Sequence, residues 1–174
     1  PIQNGQIIID KFPLNIIHVP LINALFPKSK YILVIRHPCD CVLSCFMQNF
    51  ELNEAMANFL SIKDTVSLYS NVMKLWSIYS EKLILNVEIV KYENLVSNFE
   101  QTSKKILNFL GLEWDDKLFK FYETGRARNN IKTPSYHQVT EKIYTRASGR
   151  WKNYKNEMHD IMPIMQFWIE KWGY

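Results

Sequence analysis

The run KYILVIRHPCDCVLSCF, from Lys30 to Phe46, constrains the fold more than any other stretch of this chain. Tyr31 to Ile35 is apolar almost without interruption and rich in β-branched residues, the pattern of a strand buried on both faces as in a parallel sheet. Arg36 ends the run, and Pro38 follows where a helix can start on a residue with no N–H to leave unpaired. Asp40 falls in the first turn of that helix, where a carboxylate complements the dipole. In open α/β sheets ligands bind outside the carboxyl ends of the strands. A guanidinium delivered there, with the hydroxyl of Ser44 about two turns into the helix, suits a phosphate-like anion. The same segment also allows a plain ion pair between Arg36 and Asp40, and spacing alone does not choose.

The remainder of the chain alternates between the two periodicities. Gln6 to Ile9 reads as a short buried strand with Asp10 and Lys11 at its carboxyl end, and Ile16 to Phe26 has helical spacing closed by Pro27. With the strand at Tyr31 these form a βαβ unit, for which parallel pairing is the natural arrangement. A helix carries Cys41 to about Gln48, and Met56 to Tyr79 is one long helix or two, divided near Ser61 to Thr65. Its aromatic residues are expected in the core. Leu83 to Val90 is another buried strand, ending at Lys91, Tyr92 and Glu93. Ser97 or Asn98 caps a helix from Phe99 to Leu110, with Gly111 as its stop. A further helix is expected over Asp115 to Phe121, an extended loop over Glu123 to Thr140, and a closing amphipathic helix over Met158 to Trp172, with Pro163 near its start. There is no internal repeat. The alternation predicts one α/β domain spanning residues 1–174, a parallel sheet with helices in three layers.

Composition narrows the function. With 174 residues, 47% of them hydrophobic, the chain can bury a sizeable core, which argues against disorder. A net charge of +4, with basic residues concentrated between Arg126 and Lys155, suits a polyphosphate ligand or an acidic acceptor, whereas no nucleic-acid-binding stripe is evident. Cys39, Cys41 and Cys45 all lie in one helical segment and lack the partners of a zinc site, so they read as small buried hydrophobes in a reducing compartment. His18, His37, His137 and His159 are dispersed and form no catalytic or metal-binding pattern; His37 and His137 are noted only for their proximity to the candidate segments. With no membrane-length apolar run and no signal-peptide pattern, a soluble cytoplasmic protein is expected.

RHPCDCVLSCF resembles the segment with which sulfotransferases hold the 3'-phosphate of 3'-phosphoadenosine 5'-phosphosulfate (PAPS): an arginine ends a strand and a serine follows eight positions later, as Arg36 and Ser44 do. VKYENLVSNFEQTSKKILNFLGL from Val90 and the basic YTRASGRWKNY from Tyr144 extend the resemblance, in the expected order, over nearly the whole chain. It is similar above all to bacterial sulfotransferases that follow tetratricopeptide repeats, which are relatives of tyrosylprotein sulfotransferase. The resemblance implies a P-loop nucleotide-kinase-like fold, PAPS as donor, a hydroxyl-bearing acceptor and no metal. Lys11, in DKFP, stands where tyrosylprotein sulfotransferases keep a catalytic lysine, and would stabilise charge at the bridging oxygen; otherwise it is a solvated lysine beside Asp10. Tyr92 matches a tyrosine placed near the adenine, though a tyrosine at a strand end is also ordinary packing.

In cytosolic relatives an R-K-G triplet before G-x-W-K clamps the 3'-phosphate, and Tyr144, Thr145 and Arg146 occupy its place here. The tyrosylprotein enzymes have a serine and a lysine at the positions of Thr145 and Arg146, a better match in type. Thr145 would donate a hydrogen bond, Arg146 would supply charge, and N–H groups freed by Gly149 would wrap a phosphate; the alternative is a solvated basic turn before Trp151, itself read as structural. Two features depart from the family pattern. Gln48 stands where the tyrosylprotein group has a second arginine, and the P-[KR]-S-G-[ST]-[ST] loop for the 5'-phosphosulfate, with the general-base glutamate after it, is not in the sequence. The expectation is a carboxyl-terminal majority of a sulfotransferase domain, binding nucleotide weakly and inactive alone. A P-loop kinase-like transferase and a noncatalytic interaction domain on a decayed sulfotransferase fold are the competing readings.

Overall fold

The structure, a computed structural model, describes residues 7–123 and 140–174. Strand β1, Lys30–Ile35, and strand β2, Asn86–Lys91, pair in parallel, with Lys30 opposite Asn86 and Ile35 opposite Lys91. The crossover between them contains helix α2, Pro38–Phe46, a 3-10 helix, Met56–Leu60, and helix α3, Ile62–Lys82. Pro38 occupies the first turn of α2, as its fixed φ and missing N–H favour. Ser61 divides the long apolar stretch, its hydroxyl accepting the N–H of Asp64 at 3.3 Å as the N-cap of α3.

β2 leads directly into helix α4, Tyr92–Ser97, and then α5, Phe99–Leu110. Gly111 stops α5 with φ 78°, a conformation glycine adopts without a Cβ penalty. Upstream, a 3-10 helix, Pro13–His18, precedes α1, Val19–Leu25; the last helix, here α6, is Met162–Lys171, with Pro163 in its first turn.

Alternation along β2 sets the layers. Val87 and Ile89 face a cleft of about 400 Å³ lined also by Trp76 of α3 and by Trp172 after α6. Glu88 points the other way and pairs with Lys105 of α5 at 2.6 Å. Helices therefore flank the sheet on both sides. The main core joins Cys39, Val42 and Leu43 of α2 to Val66 of α3 and Met165 and Ile169 of α6. Beside it, Trp168 is buried with its indole N–H donating to Ser70 Oγ at 3.0 Å. Burial pushes the Cys39 thiol up to about 12, consistent with a small apolar core residue; Cys41 and Cys45 are only half-buried.

Two expectations fail. Residues 7–9 form no strand: Ile9 is 79% exposed, and β1 finds its parallel partner in β2 instead. An apolar β-branched run specifies a strand only where a neighbour takes up its N–H and C=O groups. Among the described residues β1 is also covered on one face only, because α5 lies over β2 and leaves Ile32 and Val34 exposed. The helix expected after Trp114 is present as a 3-10 helix, Asp116–Lys120, capped by the Asp115 carboxylate, with residues 121–123 helical beyond it. Gln6, His137 and nearly all of the expected loop before Thr140 lie outside the described residues. Among the described residues no helix is long and apolar enough to cross a membrane.

Candidate functional site

Because Ile35 and Lys91 are paired in the sheet, Arg36 and Tyr92 leave the carboxyl ends of the two strands side by side. The guanidinium carbon of Arg36 is 5.1 Å from the centre of the Tyr92 ring. Nη2 of Arg36 donates to the carbonyl oxygen of Ala147, while its Nε is buried with no partner among the described residues. Burial raises the Tyr92 phenol; the positive charge of Arg36 opposes the rise and nearby Tyr144 adds to it. Over the Tyr144 ring lies the guanidinium of Arg146, 3.8 Å from the centroid, and Arg146 also pairs with Glu141 at 2.6 Å. Arg36, Tyr92, Tyr144 and Arg146, drawn from three distant segments, thus come together.

The other predicted residues stand differently. Thr145 lies in the same turn, its carbonyl accepting the Ser148 N–H at 2.8 Å and its side chain exposed. Ser44 is half-buried on α2, one turn beyond Asp40, and its hydroxyl bonds to none of the described residues. Lys11 is exposed in the irregular stretch before Pro13, joined to the Arg36 group by no hydrogen bond or ion pair among the described residues.

Asp40 takes a role that neither reading of the sequence anticipated. It is 1% exposed, and its two oxygens accept the backbone N–H groups of Gly149 at 2.6 Å and Trp151 at 2.8 Å. No ion pair with Arg36 forms among the described residues, and the Gly149 N–H expected to wrap a phosphate is already engaged. The reason is desolvation: a buried carboxylate must be matched by donors, and the turn before Trp151 offers two.

His37 completes the wall. Its ring stacks on Trp151 with centroids 5.1 Å apart and meets Tyr174 edge-on at 5.2 Å. Its backbone N–H donates to Glu93 Oε1 at 2.9 Å, and the Tyr174 hydroxyl donates to Glu93 Oε2 at 2.7 Å. Lys91 donates to the Gly173 carbonyl at 2.8 Å and lies over the Tyr174 ring. Along α2, a thiol hydrogen bond from Cys41 to Cys45 raises the first and lowers the second, with the Arg36 charge favouring both thiolates.

A parallel strand pair between helices, with a basic cluster at its carboxyl end, makes an α/β domain. Its backbone matches a solved structure, the sulfotransferase domain from the curacin biosynthetic pathway, with a TM-score of 0.68 at 18% identity, covering 86% of this chain and 56% of that one. The chain belongs to the Sulfotransferase family, whose model matches residues 2–116. It is 24% identical over 170 residues to a putative protein-tyrosine sulfotransferase of Caenorhabditis briggsae, covering 90% of this chain and 58% of the relative. It is 27% identical over 168 residues to an uncharacterized protein of Aquifex aeolicus (strain VF5), covering 94% of this chain and 21% of the relative. The chain therefore spans only part of the length of these relatives. The Tyr144–Trp151 turn lies beyond the residues the family model matches.

Proposed function

We propose that this chain forms the 3'-phosphate side of the donor site in a PAPS-dependent sulfotransferase acting on a hydroxyl of a peptide, glycan or small molecule. The observation that supports this most is Arg36, set at a strand tip beside the Tyr92 ring with a buried Nε that has no partner among the described residues. A guanidinium with unused donors suits a phosphate. Tyr92 offers a ring for adenine, and Ser44, Tyr144, Thr145 and Arg146 are assigned to the ribose-linked phosphate and its surroundings. Catalysis of this kind rests on positioning and on charge stabilisation. The acceptor oxygen bonds to sulfur, the bond from sulfur to the 5'-phosphate oxygen breaks, and the acceptor proton passes to a base. The products are a sulfate ester and adenosine 3',5'-bisphosphate. Lys11 is assigned the charge developing on the departing oxygen.

Calorimetric titration of the chain with adenosine 3',5'-bisphosphate and with ATP tests the reading. A preference for the bisphosphate supports it. Preference for ATP points to a kinase-like enzyme, and no heat with either nucleotide points to a noncatalytic fold.

A further inference from the structure

The assignments above leave Asp40 without a part, although it is the group that fastens the basic turn to the strand tip. We infer that Asp40 is a positioning residue for the 3'-phosphate site, one that fixes the turn from Ala147 to Trp151 and thereby the Arg36 guanidinium; this rests on the donor site proposed above. Both Asp40 oxygens are used, by Gly149 N–H at 2.6 Å and Trp151 N–H at 2.8 Å. Charge-assisted bonds of this kind are short, strong and directional. Gly149 has φ 74°, and a Cβ there would meet only the flexible Lys152 side chain, nearest at 3.8 Å. Backbone conformation, not space, therefore favours glycine: the left-handed residue lets two N–H groups converge on one carboxylate. Two residues before Gly149, the carbonyl of Ala147 accepts from Arg36 Nη2. The chain of contacts runs from a helix residue held by the core, through a turn, to the charged group at the strand tip. Arg146, stacked on Tyr144, immediately precedes Ala147 in the chain.

The test compares adenosine 3',5'-bisphosphate with adenosine 5'-monophosphate, which differ only in the 3'-phosphate. In Asp40→Asn the remaining carbonyl oxygen accepts one N–H while the amide opposes the other. Thermal unfolding checks that the variant folds, and calorimetry gives both affinities. The expected result is a loss of about tenfold or more for the bisphosphate, with the monophosphate nearly unchanged. A merely structural Asp40 would weaken both ligands together or neither, and either outcome overturns the inference. Should Asp40→Asn not fold, Gly149→Ala keeps the carboxylate and both N–H groups but disfavours the left-handed turn. The same selective loss is expected there, and an unchanged ratio overturns the inference. A native chain that does not prefer the bisphosphate defeats the donor site itself, an outcome distinct from failure of Asp40 in a chain that does.

Discussion

His37 lies nearly flat against Trp151, the two ring planes inclined by 17° with their centres 5.1 Å apart. The contact removes the imidazole from water, and its buried Nδ1 has no partner among the described residues. Desolvation, the largest influence, lowers its pKa from 6.5; the carboxylates of Asp40 and Glu93 oppose the shift, and Lys152 and Arg36 assist it. The folded state therefore binds a proton less readily than the unfolded chain. Below the unfolded pKa, near 6.5, protonation favours unfolding, so stability falls as pH drops through that value toward the depressed folded one. Melting temperatures measured between pH 7.5 and 5, on the native chain and on His37→Gln, should differ in slope, with the variant less sensitive to acid. Equal slopes would assign the acid response to other groups.

Arg36→Ala should lower affinity for adenosine 3',5'-bisphosphate by about tenfold to a hundredfold, since a hydrogen bond to a charged group contributes about 1.5–3 kcal/mol. Arg36→Lys should restore little of it. An ammonium places a single charged point and cannot donate to the Ala147 carbonyl, lie beside the Tyr92 ring and meet a phosphate in one geometry. Titration of both variants decides; full binding by the lysine variant would mean that bare charge is sufficient.

Lys11→Ala, assayed in a full-length protein with turnover, should reduce kcat much more than KM, because charge on a departing oxygen develops only in the transition state. The exposed position of Lys11 predicts that stability will hardly change. Unaltered turnover would remove this residue from the mechanism.

Tyr174→Phe deletes the hydroxyl that donates to Glu93 at 2.7 Å and leaves a half-buried carboxylate oxygen without that donor. A destabilisation of about 1–2 kcal/mol is expected from denaturant unfolding. Because Glu93 also accepts the backbone N–H of His37, the His37 ring resonances should shift in the same variant. No change in either would show that Tyr174 is a passive neighbour.

Ser70→Ala should cost about 1–3 kcal/mol, more than deletion of an ordinary surface hydroxyl, because it strands the buried Trp168 N–H. Trp168→Ala should cost about 3–5 kcal/mol through the cavity it leaves. Urea midpoints of the two variants give the comparison directly.

Local signals were readable where local chemistry decided the outcome. Pro38 opening α2, Ser61 between two helical stretches and Gly111 after α5 each act within a few residues of themselves. The strand expected at residues 6–9 does not form over 7–9, because an apolar run does not reveal whether a neighbour exists. Asp40 was hidden for a different reason. Its place in the first turn of a helix already has a local explanation, which masks a partner 109 residues away. Glu93 and Tyr174 gave no signal, since an acidic residue at a helix start and an aromatic after a helix are commonplace, and their bond spans 81 positions. The meeting of Arg36, Tyr92, Tyr144 and Arg146 followed from the family resemblance, since nothing local to any of them points to the others.

The bare side of β1 bears on where the molecule's resistance to unfolding resides. A sheet of two strands, the number among the described residues, is marginal by itself, and with Ile32 and Val34 open to water the strands contribute little of the interior. Amide protons in α2, α3 and α6, around Cys39, Val66 and Met165, should accordingly exchange with solvent most slowly, while those of β1 open earlier. For a chain whose class is named for its sheet, the last structure to melt would be helical.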